Sequence, residues 1–368
     1  MQKNKQINKQ INKSINENFK NPLVSIVVPN YNTLSILDSY INNFLKISYR
    51  PYELIIVDDC STDGSYEKLL EFQSKHPQIK IIRNEKNSGP SKTRNNGIKN
   101  SKGKYISFLE SDMEVDPNFL NPIIKKLELD LSLGAAQSLV LDLNKKDVIQ
   151  SDGLIYDPHT FNVYTKNVGV LKSKAKKDIK EKYTSIGAVG SVVRKDVLDL
   201  IGGYDEKIVH NIDDIDLGWR IWISGKKIIL VPEATTYHVT YKKMGQREKV
   251  TPKVSSEFHS QKILRVFIKN YEFINLIRYS PWLYLTYFLR IILNLLKGNS
   301  APLKGLWMST KWLISNFKDN LNERKRIQSL RGFSDKELFN YIFMKGNYFE
   351  NFKLVRDNLD RCEKVFNK

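Results

Sequence analysis

The run Leu23-Val-Ser-Ile-Val-Val-Pro29, LVSIVVP, decides the fold. It is short, rich in β-branched residues and apolar on both alternating faces, as a strand covered on both sides of its sheet must be. The pattern returns three times, in YELIIVDD (52–59), IKIIRN (79–84) and KYISFLES (104–111). Segments of helical period lie between these runs, at about 35–46, 64–75 and 90–100. Buried strands alternating with helices predict an α/β fold with a Rossmann-like, doubly wound, mostly parallel sheet. Ligands of such sheets sit beyond the carboxyl ends of the strands. The polar residues that follow each run are therefore the candidates for chemistry.

Four such stretches are present: VPNYN (28–32), VDDCSTDGS (57–65), NSGPSKTRNNGI (87–98) and FLESDM (108–113). Successive strand residues point to opposite faces, so Glu110 and Asp112 project together from one strand end. Two carboxylates at one point repel unless a cation lies between them, and a hard divalent ion with oxygen ligands fits. Such an ion in turn grips a diphosphate. Gly89 allows close backbone approach and Arg94 supplies a cation. Asp58, Asp59 and Asp63 fit this crevice, and fit equally as caps of the helix after them.

The second half is less regular: GAVGSVVRKDVLDLIGGYDE (187–206), then DDIDLGWRIWISG (213–225), then KKIILVPEATTYH (226–238), which contains one more strand. Asp213, Asp214 and Asp216 open a helical segment, where negative charge suits the helix dipole. Trp219 and Trp222, three apart on that helix, fit a core better than a sugar-stacking platform. The stretch 142–186, with KSKAKKDIKEKY inside it, reads as a mobile basic flap or a disordered insertion.

Taken in order, these motifs resemble the inverting glycosyltransferases of family 2, with their nucleotide-sugar-binding GT-A fold, over residues 22–245. The resemblance implies roles for individual residues. Pro29, Tyr31 and Asp59 match positions that hold the nucleotide, joined by Gly89, Arg94 and Asn95 of the third loop. Glu110-Ser111-Asp112 matches the family's DxD motif, with Glu in place of the first Asp. Asp112, with His238 and Glu110, is the implied metal site for Mn2+ or Mg2+. Asp213-Asp214 matches the family's ED pair, whose second member is the general base, so Asp214 is the implied catalytic residue. Gly203 and Tyr204 of GGYDE, with Asp213 and Trp219, fall on the implied acceptor side. The expected partners are a nucleotide-diphospho-sugar donor and a saccharide acceptor, lipid-linked as in rhamnosyltransferase-like members. A nucleotidyltransferase on a similar sheet is the rival enzyme reading, but VPNYNTLS lacks the long glycine-rich basic loop those carry. A catalytically inactive relative that binds only membrane or a partner is a further alternative.

Net charge is +19 over 368 residues, which favours anionic partners without choosing among nucleic acid, phosphorylated small molecules and acidic membrane. Residues 242–368 hold 25 Lys+Arg against 11 Asp+Glu, so most of the excess lies in the last third. No nucleic-acid motif accompanies it. SPWLYLTYFLRIILNLLKG (280–298) is nearly all apolar and flanked by Arg278, Lys297, Lys304 and Lys311. It is short for a crossing and suits a membrane interface, with a buried core helix as the alternative. Residues 246–368 are accordingly expected to be basic amphipathic helices on an anionic membrane surface. The opening MQKNKQINKQINKSINENFKN has no apolar stretch of the signal-peptide kind, so residues 1–21 read as a polar, disordered tail. Cys60 and Cys362 form no metal or disulfide framework. The expected setting is cytoplasmic, peripheral on the inner face of the cell membrane.

Overall fold

A computed structural model describes residues 21–187, 189–208, 212–239, 263–296 and 298–366. The expected tail, Asn21 apart, and the expected boundary at 245 fall outside the described residues.

The four apolar runs form β1 (Val24–Asn30), β2 (Tyr52–Asp58), β3 (Ile79–Arg83) and β4 (Tyr105–Phe108). They pair in parallel in the order β3-β2-β1-β4. The periodic segments between them form α1 (Leu37–Leu45), α2 (Ser65–Lys75) and α3 (Pro90–Lys99). Next come β5 (Met113–Val115), α4 (Leu120–Leu129) and β6 (Leu133–Asp142). The segment read as a flap is instead folded, with β7 (Ile149–Ser151), β8 (Ile155–Tyr156), β9 (Val163–Tyr164) and β10 (Lys182–Tyr183). Its anchor is the buried Asp152, which accepts hydrogen bonds from Thr165 (2.8 Å), Asn167 (2.8 Å) and Lys182 (3.0 Å). The order is completed by β11 (Ser191–Arg194), α5 (Lys195–Ile201), α6 (Asp213–Ile223) and β12 (Lys227–His238).

The sheet continues from β4 through β11, β6 and β12 to β10. Only β11 interrupts the parallel run between β3 and β12, lying antiparallel to both β4 and β6. Strand alternation sends Val24, Ile26 and Val28 to one face, against Tyr40, Ile41 and Phe44 of α1 and Ile123 and Leu127 of α4. Val27, Ile55 and Val57 point to the other, where Gly97 of α3 lies against Val27 and residues of α5 and α6 complete the same cluster. Each such side chain, fully buried, contributes about 1.5–3 kcal/mol.

The last third is helical: α7 (263–270), α8 (Phe273–Leu295), α9 (Ala301–Ser315), α10 (Phe317–Ser329), α11 (Asp335–Leu338) and α12 (Tyr348–Phe366). Phe267, Tyr271, Leu283, Ile327, Leu338 and Phe343 of this region join the same cluster as Trp219 and Val57. The apolar segment expected at 280–298 lies in α8. Among the described residues no helix is long and apolar enough to cross a membrane.

Candidate active site

The crevice at the carboxyl ends of β1, β2 and β4 gathers most of the expected residues. Asn30 ends β1 and donates to Asp58 Oδ1 at 3.0 Å, while accepting from Tyr40 OH at 2.8 Å and from Thr33 Oγ1. Asp58 in turn accepts from the Ser61 backbone N–H, and Asp63 from the N–H groups of Ser65 and Leu34. These two aspartates act as turn and cap residues. Asp59 differs, because it reaches across to the third loop. Its Oδ1 accepts from Asn84 (2.7 Å) and the Ser88 N–H (2.9 Å), and its Oδ2 from the Gly89 N–H (2.8 Å). Gly89 has φ +81°, a conformation that favours glycine, and leads directly into α3. Pro29 is half-buried beside this loop, and Tyr31 stands at the mouth, 46% exposed.

At the end of β4 the two carboxylates do converge. Glu110, Asp112 and His238 each present one ligand atom, all within 4.8 Å of one another. His238 Nε2 lies 3.5 Å from Asp112 Oδ1 and 3.9 Å from Glu110 Oε2. Strand pairing makes this meeting: β5 runs antiparallel to β12 with Met113 opposite His238, which sets Asp112 beside the imidazole. Ser111, between the two acids, is buried. The far ring nitrogen of His238, Nδ1, faces the Gln150 amide, 3.0 Å from its Nε2 and 3.2 Å from its Oε1, and the amide oxygen is the atom that can accept an Nδ1–H. An Nδ1–H donated there leaves the Nε2 lone pair directed at the acids, the tautomer a metal ligand needs. Two carboxylate oxygens and one imidazole nitrogen form a donor set that suits a divalent ion. Gln150 comes from the folded insertion and has no sequence signal.

Arg94 is the hub of the site. It is buried, donates from Nη2 to Glu110 Oε1 at 2.7 Å and from Nη1 to Asp213 Oδ2 at 2.6 Å, and packs its guanidinium over the Tyr204 ring. Burial opposes its charge, but Asp213, Tyr204 and Glu110 outweigh that and raise its pKa. Thus Arg94 spends its charge on the two acidic motifs instead of standing open to a nucleotide. Asn95, expected on the nucleotide, is likewise committed elsewhere. Its Oδ1 accepts from the Tyr204 N–H (2.8 Å), and its Nδ2 donates to Tyr204 O (2.9 Å) and Glu206 Oε1 (3.1 Å). Asn95 therefore holds the GGYDE loop, and Gly203 is needed there: its φ is +65°, and a Cβ would lie 2.6 Å from Asn95 Oδ1.

Asp213 and Asp214 begin α6, as the dipole argument requires. Asp213 is buried on Arg94. Asp214 is less buried, its Oδ1 accepts from the Ile215 N–H at 2.8 Å, and its charge acts on Arg94 and Tyr204. Asp216 faces inward to Arg220 (2.7 Å) and Lys269 (2.8 Å) and is structural. Two expected acceptor-side residues are not available to a sugar. Trp219 is 0% exposed, stacked on Phe161 with ring centroids 4.6 Å apart. Tyr204 is buried edge-to-face with Phe108, its phenol pKa raised by burial.

Residues 25–184 match the family model Glycosyl transferase family 2. TuaG of Bacillus subtilis (strain 168), a glycosyltransferase named for teichuronic acid biosynthesis, is 32% identical over 140 residues, 38% of this chain and 54% of that protein. The UDP-Glc:alpha-D-GlcNAc-diphosphoundecaprenol beta-1,3-glucosyltransferase WfgD of Escherichia coli is 31% identical over 153 residues, 40% of this chain and 57% of that protein. The chain thus spans about half the length of these curated relatives. Among solved structures, GalNAc-T7 with UDP, GalNAc and Mn2+ superposes with a TM-score of 0.54 at 21% identity, covering 68% of this chain and 48% of the other. With the mixed sheet and the acidic cluster at the end of β4, these matches show that residues 25–184 resemble a family 2 glycosyltransferase domain and that the fold is GT-A.

Proposed function

We propose that the protein is an inverting glycosyltransferase, moving a sugar from a nucleotide-diphospho-sugar to a hydroxyl of a lipid-linked saccharide, with a divalent metal required. The observation that carries this reading is the convergence of Glu110, Asp112 and His238, joined through Arg94 to the start of α6, where Asp214 sits. Asp112 and His238 would hold the metal, with Glu110 Oε2 as a further oxygen ligand. A bound divalent cation supplies Lewis-acid compensation for the charge that grows on the departing diphosphate. Asp59 holds the Ser88 and Gly89 N–H groups on its carboxylate and so fixes the third loop at the proposed nucleotide end of the crevice. Asp214 takes the proton of the attacking hydroxyl, a contribution of about 10²–10⁴-fold. Attack from that side, with the leaving group on the metal side, gives in-line displacement and inversion. The lipid-linked acceptor is supported by WfgD, whose name specifies such an acceptor. It sets the reaction at a membrane surface, which we read as the cytoplasmic face, with the enzyme peripheral to it.

The test is a panel of nucleotide sugars incubated with Mn2+ or Mg2+ and a diphosphopolyprenyl-saccharide acceptor. Transfer should vanish with chelator and in Asp112→Asn. Asp214→Asn should keep donor and metal binding but lose turnover. Transfer that persists undiminished in chelator and in Asp112→Asn overturns the metal assignment, and full turnover by Asp214→Asn overturns the base.

A further inference from the structure

We propose that the outward face of α8, extended by the neighbouring α9, is a docking surface for an anionic bilayer leaflet. It deepens the lipid-linked acceptor reading and rests on that reading for its purpose, though its observations are separate.

Helix α8 is apolar on its outward side as well as on the side packed against the core. The residues turned into the protein at every fourth position are Asn275, Tyr279, Leu283 and Tyr287, three of them polar or hydroxyl-bearing. A second set of large aliphatic and aromatic side chains faces outward along the length: Phe273, Ile277, Tyr284, Phe288, Ile292 and Leu293. Phe288 and Leu293 are 59% and 58% exposed. On α9, Trp307 and Ile314 are exposed by 71% and 72%. Scattered surface apolar residues need no explanation, but a continuous stripe over a helix of 23 residues marks an interaction surface.

Charge selects the occupant. Residues 273–318 contain six Lys/Arg and no Asp or Glu. From Arg290 onward they recur at every seventh position, through Lys297, Lys304, Lys311 and Lys318. On α9, Lys304 and Lys311 are exposed, Lys304 next to Leu303 and Lys311 one turn beyond Trp307. Lysines beside an apolar stripe bury their stems and keep their ammonium groups at the headgroup level. A two-fold contact with a second copy would set like charges against each other in a self-complementary patch. An acidic leaflet meets both features, and α8 lies on it instead of crossing it, since it is not apolar enough to span.

The experiment is flotation of the full chain with phosphatidylcholine vesicles, with and without phosphatidylglycerol. The wild type should float with the phosphatidylglycerol vesicles, and less so as salt rises. Phe288→Asp/Leu293→Asp should weaken partitioning by about tenfold or more, since each lost apolar insertion is worth roughly a decade. Trp307→Ala/Ile314→Ser on α9 should weaken it as well. Lys304→Glu/Lys311→Glu should abolish the preference for phosphatidylglycerol. Leu200→Asp, on the exposed side of α5, should float as wild type does. Wild-type protein that stays unbound to vesicles overturns the proposal. So does undiminished flotation of both apolar variants when each melts as wild type does. A stable dimer dissolved by Phe288→Asp/Leu293→Asp, without any vesicle binding, also overturns it and assigns the face to a second copy. Nucleotide binding is read on the same samples. Vesicle binding without any nucleotide binding would sink the transferase reading and leave the docking face standing.

Discussion

Replacing Arg94 with methionine keeps a long side chain while deleting the cation that joins Glu110 to Asp213. Both ion pairs are short, 2.7 and 2.6 Å, and Arg94 and Asp213 are almost wholly buried, whereas Glu110 keeps about a quarter of its side chain in solvent. Two unit charges about 4 Å apart at an effective dielectric near 20 interact by about 4 kcal/mol. Removing one partner of a buried pair costs about 3–5 kcal/mol, because the other charge stays behind uncompensated. Asp213 incurs nearly all of that, and Glu110 recovers part of its share from water, so a loss of about 3–4 kcal/mol is expected. At about 1.3 °C per kcal/mol for a chain of 368 residues, from about 2.1 cal/mol/K of unfolding entropy per residue, Arg94→Met should melt about 4–5 °C lower than wild type. The site then makes a second demand. A divalent ion on Glu110, Asp112 and His238 supplies positive charge next to the carboxylate that lost its arginine. Mn2+ should therefore raise the melting point of Arg94→Met by more than it raises that of wild type, with about 2.7 kcal/mol available at a hundredfold excess over Kd. Thermal melting with and without Mn2+ reads both effects. A variant that melts within about 2 °C of wild type, or that gains no more from metal, would refute the view of Arg94 as the electrostatic hub.

Three further outcomes are expected. Gln150→Leu removes the acceptor for His238 Nδ1 and should weaken Mn2+ binding by about 10–100-fold in a direct titration while leaving the melt nearly unchanged. Gly203→Ala forces a Cβ toward Asn95 at a positive φ, so denaturant unfolding should show a loss of about 1–3 kcal/mol, with a raised KM for acceptor from the displaced GGYDE loop. For acid stability, burial alone would raise Asp205, but Lys269 and Arg265 outweigh it and hold its folded pKa well below 3.8. Asp216 and Asp152 are lowered in the same way by Arg220 and Lys182. Stability from depressed carboxylates is present above their unfolded value and lost as pH falls below about 4, so urea midpoints should hold from pH 7 to 5 and drop steeply toward pH 3.

How much of this was legible follows from the distance over which each feature is made. β1 to β4 were readable because each is a continuous apolar run bounded by turn residues, and the crevice at their ends followed from parallel pairing. β5 was not. It is three residues with Glu114 at its centre, and it exists because β12, more than a hundred residues later, pairs with it. That pairing is also what delivers His238 to Asp112. The insertion looked like a basic flap because its charge is on its surface, whereas the group that folds it is one buried aspartate. The family resemblance assigns Arg94 and Asn95 to the nucleotide, whereas the structure shows both hydrogen-bonded to protein groups. The residues that occupy them, Glu110, Asp213 and Tyr204, lie up to 119 positions away. The apolar run at 280–298 reads as a helix suited to a membrane interface, with a buried core helix as the alternative, and α8 packs one side on the aromatic core while the rest is exposed.

The last third of the chain then carries a double role for its positive charge. Sequence alone assigns the excess of Lys and Arg after residue 242 to the surface, and on α8 and α9 part of it is exposed. On α7 it is not. Arg265 and Lys269 are buried and close on Asp205 at 2.7 and 2.6 Å, and Lys269 also holds Asp216 at 2.8 Å. Asp205 follows Tyr204 in the loop that Asn95 grips, and Asp216 lies two residues beyond Asp214 on α6. One pair of cations therefore fixes both the GGYDE loop and the helix that presents the proposed base. Buried carboxylates without those cations would cost several kcal/mol each. Helix α7, whose Phe267 shares the aromatic core with Leu283 of α8, is thus tied by buried ion pairs to the GGYDE loop and to the helix that carries Asp214.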